Sequence, residues 1–138
     1  MKQKPILCLD FDGVIHSYTS GWKGADVIPD PPVPGAFQFI NAAMPDFDVH
    51  IFSSRSNQPG GIEAMQEYMR IGFTSLFQTM YFDAVLIVDR VELKVTKSLK
   101  WPTEKPPAMV TIDDRAITFT GEWPEIEDLL SFKPWNKQ

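Results

Sequence analysis

ILCLDFDGV, residues 6–14, is the stretch that decides the fold. Its apolar first half does not alternate with polar residues, which predicts a buried strand over residues 5–11. Residues i and i+2 share one face of a strand, so Asp10 and Asp12 can point toward one site, and Gly13 then lets the chain turn sharply. Two carboxylates at the carboxyl end of a strand suit a divalent cation beside a phosphoryl group. A magnesium-dependent phosphoryl-transfer enzyme is therefore the first candidate function.

The rest of the chain alternates segments typical of strands and of helices. Apolar spacing predicts helices over residues 36–44, from residue 61 onward, over 73–82 and over 124–131. Strands are predicted over residues 47–52, 84–88, 109–112 and 116–119, with an edge strand or hairpin over 89–100. Strands that alternate with helices imply an α/β fold, a three-layer sandwich around a mainly parallel sheet.

Length and composition fit one domain spanning residues 1–138, because 43% of the 138 residues are apolar. A net charge of -5 weighs against a general nucleic-acid-binding surface. One basic stretch, Arg90 to Lys105, is either a solvated face or a rim that receives a phosphorylated substrate. The absence of a long apolar run and of a signal-peptide pattern predicts no membrane span. The single Cys8, interpreted as a buried residue in a reducing compartment, favours the cytoplasm.

Three polar clusters follow predicted strands: Asp10 with Asp12, Ser53 with Ser54, and Asp113 with Asp114. Ligands of parallel sheets bind at the carboxyl ends of the strands. The coincidence of the three clusters therefore predicts a single site.

Four motifs occur in a fixed order: DFDGV at 10–14, IFSSR at 51–55, a lysine in TEKPPA at 103–108, and TIDDR at 111–115. In this order they resemble the haloacid-dehalogenase-like superfamily, whose members are mostly phosphatases. The resemblance implies a Rossmann-like sheet and a nucleophilic Asp10 that forms an aspartyl-phosphate. It also implies that Asp12 is the general acid for the leaving group and then the base for water.

The same resemblance implies a Mg²⁺ ion held by Asp10, by the backbone carbonyl of Asp12, and by Asp113 or Asp114. Asp114 is favoured as the direct ligand, and Asp113 would then hold a metal-bound water.

Phosphate-binding residues are also implied. Ser53 would donate a hydrogen bond to a phosphoryl oxygen, with Ser54 the less favoured donor. Lys105 would offset the charge of the transferred group, although Lys97 and Lys100 also precede the last motif.

The spacing between the motifs leaves room for a flap at about residues 15–34 but for no cap domain. An open site of this kind suits a small phosphate ester or an accessible macromolecular phosphate, and the oligomeric state stays open. Tyr18 and Trp22 in the flap either contact an aromatic leaving group or pack the flap onto the body. Trp123 and Trp135 are expected to anchor the C-terminal segment.

Several alternatives remain at this point. The protein could be a nucleic-acid-end phosphatase, comparable to the phosphatase part of polynucleotide kinase-phosphatases, or a non-catalytic phosphate- or metal-binding module. A metal-dependent nuclease could use such carboxylates as well. Structural roles are also open: Ser53 and Ser54 could cap a turn, and the pair Asp113 and Asp114 could bind Arg55 or Arg115.

Overall fold

The structure, a computed structural model that describes residues 3–137, is a mixed α/β arrangement around a small parallel sheet. The sheet has the strand order β2-β1-β3, and its strands are β1 (Ile6–Leu9), β2 (Asp48–Ile51) and β3 (Val110–Ile112). Its helices are α1 (Ala36–Ala43), α2 (Gly61–Gln78), α3 (Ala84–Leu93) and α4 (Ile126–Leu130). None of these helices is long and apolar enough to cross a membrane.

The register of the sheet places the three carboxyl ends at one edge. Leu9 lies opposite both Ile51 and Ile112, the last residues of the neighbouring strands. The Asp10 N–H donates to the Ile112 carbonyl at 3.0 Å, and the Phe52 N–H donates to the Leu9 carbonyl at 3.1 Å. The residues that directly follow all three strands therefore lie side by side.

The core lies between the sheet and the long helix α2. The buried residues of α2 recur every four positions and form one apolar face: Met65, Met69, Phe73 and Phe77. α2 also packs against α1 at Gly72, where a Cβ atom would lie 1.9 Å from the Phe37 ring. This close approach requires glycine, because any larger residue would separate the two helices.

Residues 84–100 are largely helical, and the predicted strand over 84–88 and edge strand or hairpin over 89–100 are wrong. The Asp83 side chain accepts hydrogen bonds from the Val85 and Leu86 N–H groups at 2.9 and 3.1 Å, so it caps α3. α3 continues into a π-helical turn, Lys94–Ser98. Val91 and Val95 are buried whereas Leu93 is exposed, so the burial period is four residues rather than two.

The C-terminal part differs from the prediction as well. Residues 116–119 form no strand in the structure, and the closing helix is confined to Ile126–Leu130. Trp135 anchors this segment as expected, because its Nε1–H donates to the Gly13 carbonyl at 2.7 Å. Trp123 does not: it is 85% exposed and its ring packs on Phe119 of the same segment.

Candidate active site

Three carboxylates meet at the edge where the strands end. Asp10 follows β1, and Asp113 and Asp114 follow β3. One carboxylate oxygen from each residue lies within 4.8 Å of the other two. Oxygen ligands at this spacing suit a hard divalent cation such as Mg²⁺ or Ca²⁺. The carboxylate of Asp12 lies outside this acidic triad.

Asp114 is the most constrained member of the acidic triad. Its side chain is 2% exposed, and within residues 3–137 neither carboxylate oxygen accepts a hydrogen bond from a nitrogen or hydroxyl donor. A hydrogen bond is open to it only with a protonated Asp10. The Arg115 guanidinium approaches it only loosely, with Nε 3.9 Å from Oδ2. Burying a carboxylate without hydrogen bonds is costly. A cation bound between the three acids would remove this cost.

The electrostatics of Asp10 also favour a positive charge, a proton or a cation, between the three acids. Burial, followed by the charge of Asp113, raises the pKa of Asp10 to about 8. The N–H of Phe11 donates to Asp10 Oδ1 at 2.8 Å and opposes this shift in part. Like charges this close cannot all ionise freely. The acidic triad therefore holds a proton, or a cation in its place.

Asp12 has a different environment, because it is paired with two basic side chains. Arg55 Nε donates to both carboxylate oxygens, at 2.9 and 3.2 Å, and His16 Nδ1 lies 2.9 Å from Oδ1. Burial alone would raise the pKa of Asp12, but the hydrogen bonds from His16 and Arg55 hold it below its ordinary value. The pKa values of Asp10 and Asp12, two residues apart, are thus driven in opposite directions.

His16, near the start of the flap, connects Asp12 to Asp30 near the end of the flap. Its ring is fully buried, and its Nε2 accepts a hydrogen bond from the Asp30 N–H at 3.1 Å. We therefore assign the ring proton to Nδ1, from which it is donated to Asp12. The Tyr68 hydroxyl donates to the Asp30 carbonyl at 3.0 Å, which fixes the same end of the flap to α2.

Arg55 holds the middle of the flap. Its Nη1 donates to the carbonyls of Gly24, Ala25 and Val27 at 2.8, 2.8 and 3.2 Å. Its guanidinium lies 4.8 Å from the centre of the Trp22 ring. The interpretation of Arg55 as a partner of Asp113 or Asp114 is wrong, because its carboxylate partner is Asp12. Sequence reasoning missed this clamp, and the one available signal was an arginine directly after Ser53-Ser54 at a strand end.

Ser53 is buried at the end of β2 and caps the following 3₁₀ turn, Ser54–Asn57. Its Oγ accepts from the Arg55 N–H at 3.2 Å, while its own N–H donates to Ser56 Oγ at 3.1 Å. The capping role is therefore confirmed for Ser53. It leaves the hydroxyl proton available for a phosphoryl oxygen. Ser54 is exposed on the turn.

Lys105 is exposed in the segment that leads into β3. Burial and then Asp10 raise the pKa of the Cys8 thiol, whereas the charge of Lys105 lowers it. Lys105 therefore lies near enough to β1 for its charge to act on Cys8, two residues before Asp10.

Lys100 lies at a different place. Its backbone pairs with β2 beside His50, and its Nζ donates to the Lys97 carbonyl at 2.8 Å. It lines a cavity of about 590 Å³ with Lys4 and Lys94, next to the residues that precede β2. The basic stretch from Arg90 to Lys105 is therefore not one continuous rim, and Lys105 is its member closest in sequence to the acidic pair after β3.

Comparisons with protein-family models, with curated proteins and with solved structures find no match to this chain. The geometry of the site combines an acidic triad that could hold a cation with a separately clamped carboxylate, Asp12.

Proposed function

We propose that this protein is a Mg²⁺-dependent phosphomonoester hydrolase that acts through an aspartyl-phosphate on Asp10. The observation that carries the proposal is the buried Asp114 carboxylate, which accepts no hydrogen bond from a nitrogen or hydroxyl donor within the described residues and lies in one group with Asp10 and Asp113. A cation would take the place of the proton that this group otherwise holds, and the group lies at the edge of a parallel sheet where ligands bind.

The side chains of Asp10, Asp113 and Asp114, with the Asp12 carbonyl, would hold the metal. When bound, Mg²⁺ neutralises the carboxylates and the phosphate oxygens, so that an anionic substrate can approach. Asp114 is the favoured direct ligand because it is the more buried of the two acids after β3.

Asp10 then acts as the nucleophile. One of its carboxylate oxygens attacks phosphorus, the bond from phosphorus to the leaving oxygen breaks, and an aspartyl-phosphate forms. Asp12 donates a proton to the leaving oxygen and later takes one from the attacking water. A dianionic phosphate next to Asp12 raises the pKa of this carboxyl by repulsion, which offsets the effect of Arg55 and His16.

Ser53 and Lys105 complete the phosphate site in this proposal. The Ser53 hydroxyl donates to a phosphoryl oxygen, with Ser54 as the secondary donor, and the Lys105 ammonium offsets charge that develops during transfer. Lys105 is preferred to Lys100, because the Lys100 amine is bonded to the Lys97 carbonyl.

The motif resemblance to the haloacid-dehalogenase-like superfamily supports the same function. We accordingly propose a capless, Rossmann-like three-layer core in one domain over residues 1–138, with a flap at 15–34. A reduced, buried Cys8 fits a cytoplasmic protein.

The test is release of phosphate from an aryl phosphate with Mg²⁺ and with EDTA, using wild type, Asp10→Asn and Asp89→Asn. Asp89 is an exposed acid on α3 and serves as the matched control. We expect turnover that needs Mg²⁺, is lost in Asp10→Asn and is retained in Asp89→Asn. Turnover that survives EDTA or Asp10→Asn would exclude the proposal. Mg²⁺ binding without any turnover would favour a non-catalytic module instead.

A further inference from the structure

We propose that Tyr18 and Trp22 form the binding site for the leaving group, and that this group carries a planar nucleobase attached through a pentose. The inference rests on the proposed function, since it needs Asp12 to protonate the leaving oxygen. It names a substrate class for the same site: nucleotide monoesters, either free or at the end of a strand.

Each aromatic residue is connected to Asp12 through one intervening side chain. The Tyr18 ring packs edge-on against His16, with centroids 5.9 Å apart, and His16 Nδ1 lies 2.9 Å from Asp12 Oδ1. The Trp22 ring packs against the Arg55 guanidinium at 4.8 Å, and Arg55 Nε donates to Asp12 at 2.9 Å. Two aromatic rings therefore pack against the two hydrogen-bond partners of Asp12, Tyr18 against His16 and Trp22 against Arg55.

Trp22 has one face available for a ligand. Its other side lies against Arg55, a cation–π contact that fixes the orientation of the indole. The residue is nevertheless 44% exposed. An indole that is supported from behind and open in front is a stacking platform for a planar ring, and any nucleobase has such a face.

The backbone of Tyr18 is strained, which needs an explanation. Its φ is +61°, in the left-handed region, and among the described residues it is the one non-glycine with a positive φ. The Gly21 N–H donates to the Tyr18 carbonyl at 3.2 Å and closes this turn. Glycine would adopt the same conformation without strain. The presence of a tyrosine is explained if its ring is needed at the site.

The surroundings of Tyr18 place it at the candidate site. The Tyr18 ring packs against His16, which is hydrogen-bonded to Asp12. Burial raises the pKa of the phenol and the charge of Asp12 raises it further, whereas the charges of Arg115 and Arg55 oppose this. The ring contact and these charges together place the phenol beside the residues that surround Asp12.

The spacing favours a ring that is separated from the ester oxygen. The leaving oxygen must lie within hydrogen-bond distance of Asp12. Arg55 contacts both residues, with its Nε 2.9 Å from Asp12 Oδ2 and its Cζ 4.8 Å from the centre of the Trp22 ring. A ring stacked on the open face of Trp22 lies on the far side of the indole from Arg55, which favours a spacer between that ring and the ester oxygen. A pentose between phosphate and ring is such a spacer, as in a nucleotide.

The experiment compares substrates that share an ester oxygen and differ only in the base. One pair is adenosine 5′-monophosphate and ribose 5-phosphate, and the other is a 3′-phosphorylated oligonucleotide with and without its terminal base. We expect wild type to prefer the base-bearing member of at least one pair by about tenfold in kcat/KM. The pair that shows the preference identifies the source, a free nucleotide or a strand end.

Variants locate the preference. Trp22→Ala, Tyr18→Ala and Tyr18→Gly should each reduce it several-fold, whereas Trp123→Ala, which removes an indole that is 85% exposed on the C-terminal segment, should retain it. Tyr18→Gly should also melt at a higher temperature than Tyr18→Ala, because only glycine relieves the strain at φ +61°. Equal melting temperatures would remove the strain argument and with it the role of Tyr18.

Binding separates this inference from the proposed function. Calorimetry on Asp10→Asn with Mg²⁺ measures the affinity for each pair without turnover. Equal affinities within both pairs, or a preference that survives Trp22→Ala, overturn the inference even if wild type is an active phosphatase. A base preference in binding together with no hydrolysis by wild type overturns the proposed function and leaves the nucleotide site standing.

Discussion

At the scale of single residues, the position of the Asp114 carboxylate depends on the glycine at position 13. Asp114 is buried against the loop that follows β1, and a Cβ atom on Gly13 would lie 2.1 Å from Asp114 Oδ2. Gly13 also has a φ of +82°, which glycine adopts without strain. Gly13, the glycine after the two carboxylates, is therefore needed for the turn and for the position of the Asp114 carboxylate.

Gly13→Ala should consequently weaken Mg²⁺ binding at least about tenfold and cost about 1–3 kcal/mol of stability. The matched control is Gly121→Ala, because Gly121 has a φ of +99° but a Cβ atom there would meet nothing within 4 Å among the described residues. The control should lose some stability and keep its affinity for Mg²⁺. Calorimetric titration measures the affinity and thermal unfolding the stability. A Gly13→Ala protein that binds Mg²⁺ like wild type would refute the assigned position of Asp114.

The titration of Asp10 predicts how stability depends on pH. Its pKa in the folded protein is raised to about 8, above its value of about 4 in an unfolded chain. Between these values the folded state binds more protons than the unfolded state, so stability falls as the pH rises. In EDTA, the melting temperature of wild type should decrease from pH 4 to pH 8 more steeply than that of Asp10→Asn. Parallel curves for the two proteins would contradict the raised pKa of Asp10. Added Mg²⁺ should increase the melting temperature of wild type most near pH 8.

The flap over residues 15–34 is tied to Asp12 at two places, through His16 near its start and through Arg55 at its middle. Arg55 holds the carbonyls of Gly24, Ala25 and Val27, and His16 accepts from the Asp30 N–H. The flap thus helps to hold the Asp12 carboxylate, the proposed general acid, in place.

Arg55→Gln should therefore destabilise the protein by about 3–5 kcal/mol, because it leaves the buried Asp12 carboxylate without its cation. The control is Arg70→Gln, which removes an exposed pair with Glu92 and should cost less than about 1 kcal/mol. Urea denaturation measures the difference. Limited proteolysis should cut Arg55→Gln within residues 20–28 first, and similar losses for both variants would show that Arg55 is not a clamp.

An element can be predicted from sequence when the apolar pattern of its own residues distinguishes a helix from a strand. β1, β2, β3, α1 and α2 are predictable because each has an apolar pattern typical of its element type. α3 is not, because the run Ala84-Val85-Leu86-Ile87-Val88 is apolar throughout and β-branched in part, which fits a buried strand equally well. The cap at Asp83 and the burial period of four decide for the helix.

At the scale of the whole molecule, the position of the acidic triad could be predicted from sequence, because it depends on the direction in which the strands run. Parallel strands β1 and β3 end at the same edge, so the carboxylates that follow them must meet. The clamp around Asp12 could not be foreseen. Arg55 follows β2 whereas His16 lies in the flap, and only tertiary packing brings them together around the Asp12 carboxylate. The same is true of Trp135, which reaches back across the chain to the Gly13 carbonyl.

Trapping the phosphorylated intermediate tests most directly whether Asp10 is the nucleophile. Wild-type protein is mixed with substrate and Mg²⁺, quenched in acid during turnover, digested, and examined by mass spectrometry for phosphate on the peptide that contains Asp10. Phosphate is expected on Asp10 of the wild type with Mg²⁺, and it should be absent from Asp10→Asn and from wild type in EDTA. Rapid turnover with Asp10 unmodified at every quench time, or phosphate on another residue, would contradict the role of Asp10 as the nucleophile.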